Sequence, residues 1–272
     1  MPKETPKTPP RFPVFHVPHD GSLVSEHIGM FCVPEEQVRY YHEQMRDKDV
    51  QELIPPEYHN PESTVWFPVS RLQCDVERFR GPEEIMEKYG MGISYAKAYD
   101  GTVINQHPYT NQEIQCWYES HHSLMNHCCC AHKQIILIDL HSYHDEIVLP
   151  DFLIPGRKTP DLCIGTDPRF TPSKLLRVVR KRFEDEGLTT DVNYPYAGCY
   201  IPERIAEWPY NCNLIGIMLE FHRRAYLNEE GKTDPQKRNR IRNIIRQIIE
   251  DMAADVEQTK KDEKRSAGKD KI

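Results

Sequence analysis

The chain has 272 residues, 38% hydrophobic and 28% charged, with a formal net charge of −7. That length can bury the core of one large domain or two small ones, and the composition is that of an ordinary globular protein. The negative charge argues against nucleic acid as a main partner, and no run approaches the ~18–20 apolar residues needed to cross a bilayer.

Met1-Pro2-Lys3-Glu4-Thr5-Pro6 has no apolar stretch of the kind a secretory signal requires, so a cytoplasmic protein without membrane association is expected. Residues 1–10, rich in Pro, Lys and Thr, are expected to be a disordered tail. A first buried strand is predicted over Pro13-Val14-Phe15-His16-Val17, ending in Pro18-His19-Asp20-Gly21. A helix starting near Pro34 is predicted to carry Asp47 and Asp49. Val65-Trp66-Phe67-Pro68-Val69 reads as a second strand. Beyond it, Arg71 and Asp75 are predicted to share one strand face, with Arg78 in the following loop.

The central strand is predicted over Gln134-Ile135-Ile136-Leu137-Ile138-Asp139-Leu140, running into His141-Ser142. Thr171-Pro172 opens a helix that Gly187 closes, with Leu175, Leu176, Val178, Val179 and Phe183 as its buried stripe. A late strand, Gly216-Ile217-Met218-Leu219-Glu220-Phe221, leads to His222-Arg223. The last helix is predicted from Thr233-Asp234-Pro235 to about Gln258, its Ile241, Ile244, Ile245, Ile248, Ile249, Met252 and Val256 recurring at the helical period. Residues 259–272, with six basic and three acidic side chains, read as a second disordered tail. Strands alternating with helices imply one α/β domain over residues 11–258, a three-layer sandwich with a mixed, largely parallel sheet.

The nine cysteines are expected to be reduced thiols. A chain of this size needs no disulfide staples, and the adjacent Cys128-Cys129-Cys130 suits neither disulfide geometry nor a CxxC metal site.

Reactive groups in such sheets gather past the carboxyl ends of strands, which singles out three places. His19 and His141 each follow a strand and stand near a residue, Gly21 or Ser142, that lets the chain bend. Neutral imidazole is the commonest zinc ligand, and a catalytic zinc takes three protein ligands and keeps one open position. The third ligand could be Asp20, Glu26, Asp47 or Asp49, and the residues alone do not choose. Glu220 lies inside an apolar run, where it is either paired with Arg223 or Arg224 or serves as a general base. Arg71 and Asp75 can brace each other, and Arg78 can hold a substrate carboxylate or meet developing negative charge.

Taken in order, these segments resemble the N-formylglutamate amidohydrolase family. The resemblance is carried by Pro18-His19-x-Gly21, Asp47 followed by Val50-Gln51-Glu52-Leu53, Ser70-Arg71, Asp75-Val76-Glu77-Arg78 and Asp100-Gly101. It continues through Asp139-Leu140-His141-Ser142, Asp161-Leu162-Cys163-Ile164-Gly165, Asn193-Tyr194-Pro195-Tyr196-x-Gly198 and Leu219-Glu220-Phe221-His222-Arg223.

The resemblance implies a zinc-carboxypeptidase-like fold and hydrolysis of a small acidic N-acyl amino acid such as N-formyl-L-glutamate. It implies one Zn2+ per chain on His19, Asp47 and His141, with Glu220 as the base acting on a metal-bound water and Arg78 at the oxyanion. Arg71, Asn193, Arg223 and His122 are then substrate contacts or their supports. Glu77 departs from the family, which usually has Asn there, and Cys199 stands where a second Gly is common. Such departures bear on the substrate more than on the metal, so another acyl-amino acid, peptide or cell-wall amide is the rival substrate. A non-catalytic binding protein that keeps the fold is the rival class.

Overall fold

The computed structural model describes residues 11–108, 112–207 and 213–267, with side chains through 253. The tail expected over residues 1–10, and the end of the second tail over 268–272, lie outside the described residues. Six strands form one sheet: β1 (Phe12–Val17), β2 (Thr64–Trp66), β3 (Gln134–Tyr143), β4 (Leu162–Gly165), β5 (Thr190–Val192) and β6 (Asn213–His222). Their order is β2-β1-β3-β6-β4-β5. Every pairing is parallel except that of β4 with β6. The sheet is therefore mixed and largely parallel, as the alternation of elements requires.

The described residues form five helices: α1 (Glu35–Met45), α2 (Gln112–Cys130), α3 (Ser173–Asp185), α4 (Glu203–Glu207) and α5 (Pro235–Ala267). The last four cover the sheet, while α1 packs through Val38, Tyr41 and Met45 on Leu72, Met91 and Tyr95 of the loops. The period-two alternation of the strands divides the work between the two faces. Phe15, Val17, Ile136, Ile138, Leu140, Ile217, Leu219 and Phe221 form one core with Leu175, Val179 and Phe183 of α3 and the isoleucines of α5. Val14, Ile135, Leu137 and Leu214 form a second core with Met125, Cys128 and Cys129 of α2 and Ile205 of α4. Two members of the cysteine triplet are thus core residues, and no disulfide occurs among the described residues.

Several boundaries differ from expectation, each for a local reason. α1 stops at Met45, so Asp47 lies beyond the helix. Asp49, at φ 56°, is left-handed, which an α-helix does not tolerate, and Val50–Leu53 forms a separate 3-10 turn. The second strand closes at Trp66 because Pro68 has no N–H to give a ladder. Arg71 to Asp75 is a turn rather than a strand: the amides of Gln73 and Cys74 both donate to the Ser70 carbonyl. α5 continues beyond Gln258 to Ala267, since residues 259–267 contain no Gly or Pro to stop it. The Val256 side chain, assigned to its apolar stripe, lies outside the described residues. No described helix is long and apolar enough to cross a membrane.

One glycine position is fixed by a close approach. A Cβ on Gly21 would stand 2.5 Å from the Val69 carbonyl oxygen, 2.6 Å from the Pro68 carbonyl carbon and 2.7 Å from the Phe67 carbonyl oxygen. All three are backbone atoms of the segment that follows β2, tied to β1 and its continuation by Phe67 N–H donating to the Val17 carbonyl at 3.0 Å and Ser22 N–H donating to the Pro68 carbonyl at 2.9 Å, so relief requires moving main chain. Gly21→Ala is expected to cost about 1–3 kcal/mol, the usual range for an overpacked site. Urea unfolding checks this, and an unchanged midpoint would show that the segment after β2 yields freely.

Candidate active site

Opposed residues in adjacent strands project to the same face. His16 of β1 pairs with Asp139 of β3, and His141 of β3 pairs with Glu220 of β6. Cys163 of β4 lies on the far side of Glu220. One face of the sheet therefore changes character along its length. It is apolar where α2 covers Ile135 and Leu137, and polar from Asp139 onward, at the carboxyl end of β3 and β6. His19 follows β1 at the same end. Asp47 arrives from the turn after α1, held by its amide donating to the His19 carbonyl at 2.9 Å.

His19, Asp47 and His141 converge. Nδ1 of His141 stands 2.9 Å from Asp47 Oδ2 and 3.2 Å from His19 Nδ1, and His19 Nδ1 is 3.6 Å from the same carboxylate oxygen. All three residues are buried. A triangle with these edges has a circumscribed radius of about 1.9 Å. A point at the ~2.0–2.1 Å typical of zinc–nitrogen and zinc–oxygen bonds therefore exists just off its plane. Two imidazoles and one carboxylate leave a fourth position open, as catalytic zinc sites do. The donor set and its spacing fit the metal.

The outer faces of both imidazoles are held as well. His19 Nε2 meets Asp75 Oδ1 at 2.8 Å, and His141 Nε2 meets Asp139 Oδ1 at 3.1 Å. A carboxylate behind each histidine fixes the tautomer and leaves Nδ1 of both rings facing the Asp47 carboxylate, the arrangement that ligating histidines require. Asp75 is itself crowded with donors: its Oδ2 accepts from Tyr95 Oη at 2.6 Å and from Arg71 and Arg78 at 3.1 Å each. Burial alone would raise its pKa, but Arg78, His19 and Arg71 outweigh burial and hold it well below the carboxylate range. For Asp47 too, burial is outweighed by the hydrogen bonds from His141 and His19, and its pKa is lowered. Conversely, burial opposes charge on His141, yet Glu77, Asp139 and Asp47 raise its pKa well above the usual value. In the metal-free protein a proton thus occupies the ground that a cation would take.

Glu220 is buried in β6, and neither Arg223 nor Arg224 pairs with it. Arg224 pairs with Asp161 at 2.7 Å. Arg223 donates to the carbonyls of Gln44 at 2.8 Å and Arg46 at 2.6 Å, capping the end of α1. Among the described residues Glu220 has no hydrogen bond or ion pair. Burial pushes its pKa up to about 8, against the pull of His141 and Arg71. A carboxyl poised there can exchange a proton near neutrality.

Arg78 donates through Nε to the Met91 carbonyl at 3.1 Å and through Nη2 to Tyr95 Oη at 3.2 Å. Its Nη1 has no partner among the described residues. Arg71 is committed throughout, to Tyr95 Oη at 3.0 Å, the Met45 carbonyl at 3.3 Å and Asp75. It also lies 3.5 Å from Asp47 Oδ1. Arg71 and Arg223 thus brace the turn that delivers Asp47.

Asn193, at φ 54°, directs its side-chain amide to Thr166, with Nδ2 donating to Thr166 Oγ1 at 2.9 Å, so it ties two loops together. His122 Nδ1 lies 3.0 Å from Tyr200 Oη, and burial lowers its pKa to about 4. Its neighbour His121 is the one that reaches the sheet, 2.9 Å from His16 Nε2. Of the open alternatives for the third ligand, Asp20 accepts from the amides of Asp49 at 3.0 Å and Gln51 at 3.2 Å and pairs with Arg46 at 3.0 Å. Asp49 reaches the same arginine, and Glu26 is exposed in a 3-10 turn. None of the three joins the cluster.

Sequence reasoning did not single out Tyr95, His16 or Asp139; it did pair Asp75 with Arg71, which lie 3.1 Å apart, but gave Asp75 no place behind His19. Asp139 was within reach of it, two residues before His141 on one strand and therefore on the same face.

The family model described as N-formylglutamate amidohydrolase matches residues 13–227. Among solved structures, this chain is similar to the N-formylglutamate amidohydrolase of Ralstonia eutropha JMP134. That match covers 91% of this chain and 96% of that one, with a TM-score of 0.70 and 18% identity. It is also similar to the gene product Atu2144 of Agrobacterium tumefaciens, over 91% and 92% of the two chains, with a TM-score of 0.62 and 15% identity. No curated protein matches.

Proposed function

Because the chain belongs to the N-formylglutamate amidohydrolase family and is a hydrolase of amide bonds, we propose that it cleaves a small acidic N-acyl amino acid such as N-formyl-L-glutamate. His19, Asp47 and His141 would hold one zinc ion. The observation that supports this reading is the convergence of those three buried side chains beside Glu220, a buried carboxyl with no hydrogen bond or ion pair among the described residues.

Zinc, when bound, supplies a Lewis acid that polarises the acyl carbonyl and brings the pKa of water down toward ~7. The chain's own groups do the rest. The Glu220 carboxylate accepts the proton of the attacking water and later delivers it to the leaving nitrogen. Arg78 Nη1 donates to the oxygen on which charge develops, or to the substrate carboxylate, while Asp75 and Tyr95 keep its plane fixed. The Asp75 and Asp139 carboxylates hold the two imidazoles at one tautomer.

Removing one oxyanion donor typically costs ~100- to 1000-fold in kcat. Arg78→Ala is expected to lose that much turnover with its metal content unchanged. Loss of metal in that variant would instead make Arg78 a support of the centre.

The reading as a whole is tested by loading the full chain with zinc and measuring formate release from N-formyl-L-glutamate before and after chelation. Turnover that survives chelation would remove the metal from the mechanism. A zinc-loaded protein inert toward N-formyl and N-acetyl forms of glutamate and aspartate would remove the substrate class.

A further inference from the structure

The geometry points to a second divalent-cation site beside the first, held by His16 Nδ1, Glu77 Oε1 and Asp139 Oδ1. The three donor atoms lie within 4.8 Å of one another. His16 Nδ1 is 2.8 Å from Asp139 Oδ1 and 3.6 Å from Glu77 Oε1. This reading goes beyond the hydrolytic one and does not rest on it, because the donor set is complete without His19 or Asp47.

Three features distinguish the cluster from an ordinary surface group of acids. His16 is fully buried, and its other nitrogen already has an outer partner, His121 Nε2 at 2.9 Å, as ligating histidines do. Asp139 is oriented from behind by the Tyr200 amide, 2.9 Å from Oδ2. Glu77 is the third feature. Its side chain is only 15% exposed, and its carboxylate stands 3.2 Å from His141 Nε2 and 3.6 Å from both His16 and His19. Yet it accepts no hydrogen bond among the described residues.

In a purely hydrogen-bonded arrangement both His16 Nδ1–H and His141 Nε2–H go to Asp139 Oδ1, and Glu77 is left without a donor. Its close charged neighbour is His141 Nε2 at 3.2 Å, and a cation on the His16 side gives the carboxylate a direct ligand bond. One imidazole and two carboxylates suit a first-row ion such as Zn2+ or Mn2+.

The test is metal stoichiometry of the full chain. Metal-stripped protein is dialysed against saturating Zn2+ or, separately, Mn2+, and bound metal is counted by mass spectrometry. With at least one of these ions the wild type is expected to hold two per chain. Glu77→Gln and His16→Asn are expected to hold one, and Asp47→Ala also one, retained at the second site. Saturation of the wild type at a single ion with both metals overturns the proposal. So does a stoichiometry of two in Glu77→Gln, which puts the second ion elsewhere. Glu77 is half-buried, so that variant is informative even where the His16 variant fails to fold. Failure of the first site would show separately, as Asp47→Ala leaving the wild-type count unchanged.

Discussion

Glu220→Gln is expected to keep wild-type metal content and to lose about 100- to 10,000-fold in kcat, the span attributed to a well-placed general base. The replacement keeps the volume and polarity of the side chain and removes only the ability to take a proton. The variant should therefore fold and load metal normally. The pH dependence supplies a second readout. Burial favours the protonated form and lifts the pKa to about 8, whereas the base must be ionised to act. The wild-type kcat/KM should therefore rise with pH through this ionisation. A bound cation favours the carboxylate, which places the midpoint below about 8 in the loaded enzyme. The residual activity of Glu220→Gln should lack that acid limb. Full turnover in the variant would remove Glu220 as the base, and a slowed variant that keeps the limb would assign the limb to another group.

His19→Ala is expected to abolish activity by a different route. One of three donors disappears, and Asp75 loses the imidazole that it orients at 2.8 Å. Losing an outer partner of a ligand typically weakens metal binding ~10- to 100-fold, and losing the ligand itself should exceed that. Competition with a chromogenic chelator measures the change, with Asp75→Asn as the comparison. The expected order is a modest loss for Asp75→Asn and a larger one for His19→Ala. Should His19→Ala bind zinc as tightly as the wild type, the ion sits elsewhere and the assignment fails.

How much of this could be read from the residues alone depended on the length and period of each segment. β1, β3 and β6 were legible because each contains an apolar run too long to be a loop. β4 and β5 were not: four residues and three residues are too short to show a period, and β4 is a strand because β6 offers it an edge, as β5 is because β4 does. α2 was missed because its buried residues, among them Ile114, His121, Met125, Cys128 and Cys129, include polar and sulfur side chains that blur the apolar stripe.

The position of Asp47 shows a different limit. The residues suggested a helix continuing through it, and the left-handed Asp49 and the carbonyl-capping Arg71 and Arg223 are tertiary facts with no local signature. Only the ordered resemblance to the family favoured Asp47 over Asp20, whose carboxylate looks equally suitable until the amides of Asp49 and Gln51 are seen to occupy it.

β1 and β3 lie side by side, although the chain makes an excursion of more than a hundred residues between them. Closing so long a loop is unfavourable until the strands zip together. His19 and His141 consequently meet only after the central pairing is complete, and Asp47 and Asp75 enter from within the excursion itself. On the proposed reading, a partly folded chain has scattered donors and would not retain the ion. Competence for hydrolysis is in this sense an assembly checkpoint: an immature molecule is silent, not indiscriminately active.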